Sequence, residues 1–164
     1  MRYISLIVTA FVLLLGGCKK TNTTYNYTYR VDGNVAQGTG STYYDNTNSI
    51  FQINLNGTGG QQVALIWNYM PSISSINNLT TTTYPIAAHP LPPSYQSGTF
   101  SPAYSSAYYT TGGGVGGTIT LTKNTGAGGL MSGTFSFTAI NGSSPYDTVY
   151  ITQGTFTDVP VVSF

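Results

Sequence analysis

Charge is what this chain has least of. Asp, Glu, Lys and Arg make up 5% of its 164 residues, against about 25% in an ordinary soluble domain. Glutamate is absent, and there is one histidine and one cysteine. Each scarcity closes off a class of function. A nucleic-acid binder needs a basic face that displaces counterions, and five basic residues balanced by four acidic ones do not supply it. The same shortage excludes a polybasic patch for anionic membranes. Paired-carboxylate hydrolysis needs two acids whose pKa values are driven apart. The aspartates Asp32, Asp45, Asp147 and Asp158 are scattered, most of them near expected turns. A Ser/His/Asp relay needs a histidine base. His89 lies between Ala88 and Pro90 in a proline-rich stretch, with no Gly-x-Ser-x-Gly elbow anywhere, so it reads as a loop histidine. Asp45-Asn46-Thr47-Asn48 begins like a calcium loop but lacks a further acid and the required glycine. It reads as a polar turn. Gly112 to Gly117 lacks the Lys-Ser/Thr ending of a phosphate loop and reads as a hairpin connection. We therefore expect no enzyme, no catalytic residue, no metal and no cofactor.

The single cysteine closes the chain's one long apolar run. Met1-Arg2 gives a short basic start, Ile4 to Leu15 is almost wholly apolar, and Gly16-Gly17-Cys18-Lys19-Lys20 follows. A basic start, an apolar stretch of this length and a small-residue exit describe a secretory signal peptide. Ile4 to Gly17 is too short for the roughly 20 residues of a bilayer-crossing helix. Leu15-Gly16-Gly17-Cys18 resembles the lipobox of bacterial lipoproteins, with Leu15 third before the cysteine and two small residues between. The resemblance implies cleavage before Cys18 and lipidation of its thiol. Each buried CH₂ contributes ~0.8 kcal/mol, so one acyl chain holds a protein marginally and two or three hold it firmly. Lipidation also accounts for an unpaired cysteine in an exported protein. The expected organisation is a signal peptide over 1–17, a lipidated Cys18 with a flexible polar tether over 18–26, and a single all-β domain over 27–160. The membrane is then a partner through the anchor.

The 14 tyrosines, 20 glycines and abundant threonine favour strands and tight turns over helices. We expect an antiparallel β-sandwich or partly closed barrel of about eight or nine strands. Tyr27 to Val31 alternates and ends at Asp32-Gly33, a two-residue hairpin turn. Asn34 to Gln37 could return; Gly38 to Asn48 is polar and gives no clear signal. Phe51, Ile53 and Leu55 share one face of a half-buried strand. Gln62 to Tyr69 reads as a central strand covered on both faces. Pro71 to Pro93 reads as loop around one short strand over Thr82 to Ile86, and Gly98 to Phe100 and Tyr104 to Thr110 are shorter candidates.

A three-stranded C-terminal meander is the clearest part. Ile119 and Leu121 alternate with threonines, then Phe135, Phe137 and Ala139 point inward. In the last strand the inward set changes parity between Ile151 and Phe156, which predicts a β-bulge near Gln153-Gly154. Gly-Thr-Phe recurs at Gly98, Gly133 and Gly154 with unequal spacing, which we read as strand-entry chemistry and not a repeat array. Sheet edges with so little charge to guard them would favour self-association.

The segments Gly117 to Leu121, Ser132 to Ala139 and Ile151 to Thr157 resemble the C-terminal half of a family of Bacteroidota lipoproteins that carry an all-β domain of unknown function. Val31-Asp32-Gly33 and Thr83-Tyr84-Pro85-Ile86 fit more loosely. The resemblance implies an all-β fold, a lipid anchor and an outer-membrane location, and offers no catalytic residues to carry over. Surface-displayed lipoproteins of that phylum often carry acids just after the cysteine; Lys19-Lys20-Thr21 has none, so the leaflet stays open. Asp147-Thr148-Val149 is similar to the O-glycosylation sequon of the same phylum. Aromatics are the remaining binding resource. Trp67, Tyr104, Tyr108 and Tyr109 could offer faces on which a sugar ring stacks. The plainer reading places Trp67 in the core and the tyrosines over strand faces. The function expected is a non-enzymatic structural or binding role in the cell envelope. The alternatives are a glycan-binding accessory module and a carrier of a small apolar ligand; a glycan or an envelope protein is the candidate partner.

Overall fold

A computed structural model describes residues 25–86, 96–102, 109–111, 115–142 and 147–163. The expected signal peptide, Cys18 and most of the expected tether lie outside the described residues, as does His89.

The described chain is nearly all strand. Its order is β1 (Tyr27–Val31), β2 (Asn34–Asp45), β3 (Ile50–Gly57), β4 (Gln62–Asn68), a short 3-10 helix (Ile73–Asn78), β5 (Thr83–Ile86), β6 (Gln96–Ser101), β7 (Tyr109–Thr110), β8 (Gly117–Asn124), β9 (Leu130–Asn141) and β10 (Thr148–Pro160). All ten strands form one sheet, in the order β10-β1-β2-β3-β4-β6-β5-β8-β9-β7, with further pairings β10–β9 and β6–β7. The pairings therefore run in a closed circuit: β9 returns to β10, where the order began. The all-β expectation holds, with ten strands where eight or nine were expected. One pairing departs from the antiparallel pattern, the parallel β5–β6 contact through Ile86 and Gln96.

Local chemistry explains the elements. Asp32 and Gly33 both have positive φ, 47° and 87°, which is the backbone of a type I′ turn matched to strand twist. Phe51, Ile53 and Leu55 of β3 are fully buried, and Val63, Leu65 and Trp67 of β4 face them from the next strand. Ala64 is buried too and Ile66 half-buried, in keeping with a strand covered on both sides. The meander is as expected: β9 pairs with β8 and with β10. The foreseen bulge is present as a register shift between Ile151 and Gly154, with Gln153 at φ 50°. A second shift, between Phe156 and Val159 with Asp158 at φ 51°, keeps Val159 pointing inward.

The structure settles one segment that gave no clear signal and corrects one expectation. The polar run after Gln37 is strand as far as Asp45, held by β3 in continuous register. Its burial follows alternation of small and aromatic residues, not hydrophobicity. Part of the proline-rich stretch is the 3-10 helix, pinned by Ile76 in the core and by Asn124, whose Nδ2 donates to Ile76 O and Leu79 O at 2.8 and 2.9 Å.

The fold has two ends. The Asp32-Gly33 turn marks the upper one, joined by Gly117, Ile86, Asn141 and Asp147 through β10, β9, β8 and β5. The turn after Asp45 marks the lower one, with the 3-10 helix, the Asn124 to Leu130 turn and the C-terminal residues Val161 to Ser163.

Candidate functional site

Of the four aromatic residues proposed for stacking, Trp67 and Tyr109 are among the described residues, and both are buried. Trp67 is 1% exposed, packed against Phe51 and Tyr84 at centroid distances of 5.7 and 6.1 Å. Tyr109 is also buried, its ring against Phe100 and its hydroxyl donating to Asp147 Oδ2 at 2.6 Å. Both are scaffold residues, because β4 and β7 turn these side chains toward the core. Tyr104 and Tyr108 lie outside the described residues.

The described charged side chains are engaged in scaffold bonds. At the upper end Arg30 donates to Gln153 Oε1 and Gly33 O, both at 2.8 Å, and Asp32 accepts the Tyr150 N–H at 2.9 Å. Asp147 accepts from Tyr109 and from the Thr148 N–H. That bond to Asp147 is the main reason the Tyr109 phenol is raised above its ordinary pKa, with burial and the charges of Asp147 and Asp32 adding to it. A phenol driven away from neutrality is poorly placed for proton transfer at pH 7. Lys123 and Asp158 form a half-exposed ion pair at 2.7 Å; its hydrogen bond holds the Asp158 carboxyl below the usual carboxylate range. Among the described residues, no group of three or more His, Cys, Asp or Glu side chains gathers as a metal would need. No helix among them is long and apolar enough to cross a membrane.

A concavity lies at the lower end, a cleft of about 320 Å³ lined by Tyr44, Asn46, Ser72 and Ile73. Its geometry follows from the chain. Tyr44 faces inward on β2, and its hydroxyl donates to Met70 O at 2.7 Å. Met70 N–H donates to Ser49 O, so the segment after β4 is tied to the β2–β3 turn. That turn is organised by Asp45: Oδ1 accepts the N–H groups of Thr47 and Asn48, and Oδ2 accepts Asn48 Nδ2 at 2.7 Å. These bonds, led by the Asn48 side chain, lower the Asp45 pKa. The aspartate is thus a turn former, as its sequence setting suggested. Ser72 is committed to Ser74 and Ser75. Between these elements Tyr69 is 64% exposed with φ 66°, an uncommon backbone for a bulky residue. The cleft offers an aromatic wall, an isoleucine, an amide and a hydroxyl. Sequence reading missed it because half of its lining comes from the polar run that carries no hydrophobic period.

The geometry defines an all-β domain whose described strands pair in a closed circuit, with a cleft at its lower end. The chain belongs to the DUF6252 family, a domain of unknown function, which matches residues 72–160, more than half its length. The match takes in the 3-10 helix and β5 to β10, including the whole C-terminal meander. No curated protein and no solved structure matches the chain.

Proposed function

We propose that this chain is a lipid-anchored protein of the cell envelope, held on the outer membrane through Cys18, with a structural or binding role and no chemistry of its own. The observation that carries the reading is Leu15-Gly16-Gly17-Cys18 at the end of the single long apolar run. Two further features support it. The described charged side chains are engaged in turns and strand-to-strand bonds and form no convergent acid–base pair. The lower-end cleft has the chemistry of a contact surface. Intact-mass analysis of the protein from its native membrane tests the reading. A chain beginning at Cys18 and carrying acyl groups is expected; a free thiol with residues 1–17 attached overturns it.

The glycan-binding alternative now rests on Tyr104 and Tyr108, since the rings of Trp67 and Tyr109 are covered. Glycan-array binding abolished by Tyr108→Ala would favour it over the leading reading.

A further inference from the structure

We infer that the lower end of the domain, around the Tyr44–Ile73 cleft and Tyr69, is a contact face for the lipid headgroup layer to which the anchor tethers the protein. The inference rests on the lipid-anchor reading above and adds an orientation to it.

The direction in which the chain leaves the domain carries the argument. Asn26 is clamped between β2 and β10: its N–H donates to Gly38 O, its C=O accepts from Thr157 N–H, and its Oδ1 accepts from Gly40 N–H at 2.6 Å. In the register of β1 with β2, Tyr27 lies opposite Gly38 and Val31 opposite Asn34. Followed backward from Tyr27, the chain therefore heads toward the Asp45 side of β2, away from Asp32-Gly33. At Asn26 and Tyr25 the chain runs toward the lower end. From Cys18 to Tyr25 the chain spans at most about 25 Å when fully extended, shorter than a bilayer core is thick. A domain on so short a lead sits close to the membrane, and the end from which the lead departs is the end that meets it.

The chemistry of the two ends fits that orientation. Arg30, Asp32 and Asp147 are at the upper end. Charge does not distinguish the ends: the lower one carries the half-exposed Lys123–Asp158 ion pair and, beside the cleft, Asp45, its carboxylate bonded within its own turn. Around it are Tyr69, 64% exposed, and Tyr43, 52% exposed on the outer face of β2. Tyr25, where the lead departs, is 39% exposed. Tyrosine favours the membrane–water interface, where its ring is shielded and its hydroxyl stays wet. Three exposed tyrosines on this side, against Tyr150 at the other end, suit an approach to headgroups.

The test uses the full chain carrying its anchor, reconstituted in phosphatidylethanolamine/phosphatidylglycerol vesicles. Tyr69→Cys and Val35→Cys are matched probe sites, 64% and 60% exposed at opposite ends of the domain. Each is labelled with an environment-sensitive fluorophore and challenged with spin-labelled lipid. At least twofold stronger quenching at position 69 than at position 35 is expected. Equal quenching, or stronger quenching at 35, overturns the orientation. Shielding at 69 that grows with protein concentration and ignores the spin label would mean a second copy covers the face, and overturns it too. Fluorophore on Cys18 itself in either variant would show an unmodified thiol; the anchor reading then fails first and the orientation with it.

Discussion

Two tyrosines and one tryptophan define the residue-scale problem of this core. Tyr27 and Tyr29 stack at 5.6 Å and 14°, and Tyr29 also meets Phe135. Their hydroxyls and Trp67 Nε1 are buried without a hydrogen-bond partner among the described residues. A buried polar group left unpaired costs ~1–3 kcal/mol. Tyr29→Phe keeps the ring and removes the unpaired oxygen, so it should raise stability by ~1 kcal/mol, read as a higher midpoint of thermal unfolding at pH 7. A lower midpoint would mean that the hydroxyl is bonded after all. The same burial sets a pH dependence. Burial pushes the Tyr27 phenol from 10.0 up to about 12, and burial together with the Tyr27 charge raises Tyr29 further. Below pH 10 both phenols are neutral folded or unfolded and the contribution is constant. Between pH 10 and 12 the unfolded chain releases these protons and the folded one does not, so stability falls as pH rises. The Tyr27→Phe, Tyr29→Phe double variant should show a shallower loss over that range.

At the scale of elements, the Gly-Thr-Phe triplets turn out to be a pairing device. They are not strand entries: Gly133 and Gly154 sit inside β9 and β10. In that antiparallel pair Gly154 lies opposite Phe135 and Phe156 opposite Gly133, with Thr155 against Thr134 between them. A Cβ on Gly154 would approach the Phe135 ring to 2.5 Å, and one on Gly133 the Phe156 ring to 2.7 Å. Each ring lies over the partner triplet's glycine, which fixes register and restores the packing the glycine lacks. The third triplet's glycine is covered by a ring from outside the triplets: a Cβ on Gly98 would approach the Phe137 ring to 3.0 Å. Gly154→Ala should therefore cost ~1–3 kcal/mol through overpacking. Combined with Phe135→Leu it should cost less than the two single changes summed, because the smaller side chain admits the methyl. Additivity in a denaturant-unfolding cycle would count against the reciprocal arrangement. The sequence made β3, β4 and the meander legible because their burial is carried by hydrophobic alternation, and it located the first bulge through the parity of Ile151 and Phe156. It hid the second half of β2, where Gly40, Thr42 and Tyr44 alternate without a hydrophobic period, and with it the wall of the cleft. It also hid the triplets' role, since cross-strand register is not written within one strand.

For the whole molecule, scarcity of charge and closure of the sheet belong together. Exposed strand edges are commonly guarded by lysine, by charge turned inward or by proline, and this chain has few charges to use. Instead each of the ten described strands has at least two partners, so few of their edges need guarding. Closure is uneven around the circuit. The β9–β10 and β2–β3 ladders are long, whereas β5 meets β6 through one residue pair and β7 contributes two residues against β6 and two against β9. Few ladder bonds protect that seam, so it should open locally at lower free energy than the meander. Native-state amide exchange should show Tyr109 and Thr110 exchanging more than tenfold faster than Ile151 and Phe137, a difference of about 1.4 kcal/mol or more in opening free energy. Uniform protection around all ten strands would instead mean that the ring opens only as a unit, and that the short β5–β6–β7 contacts are as strong as the long ladders they join.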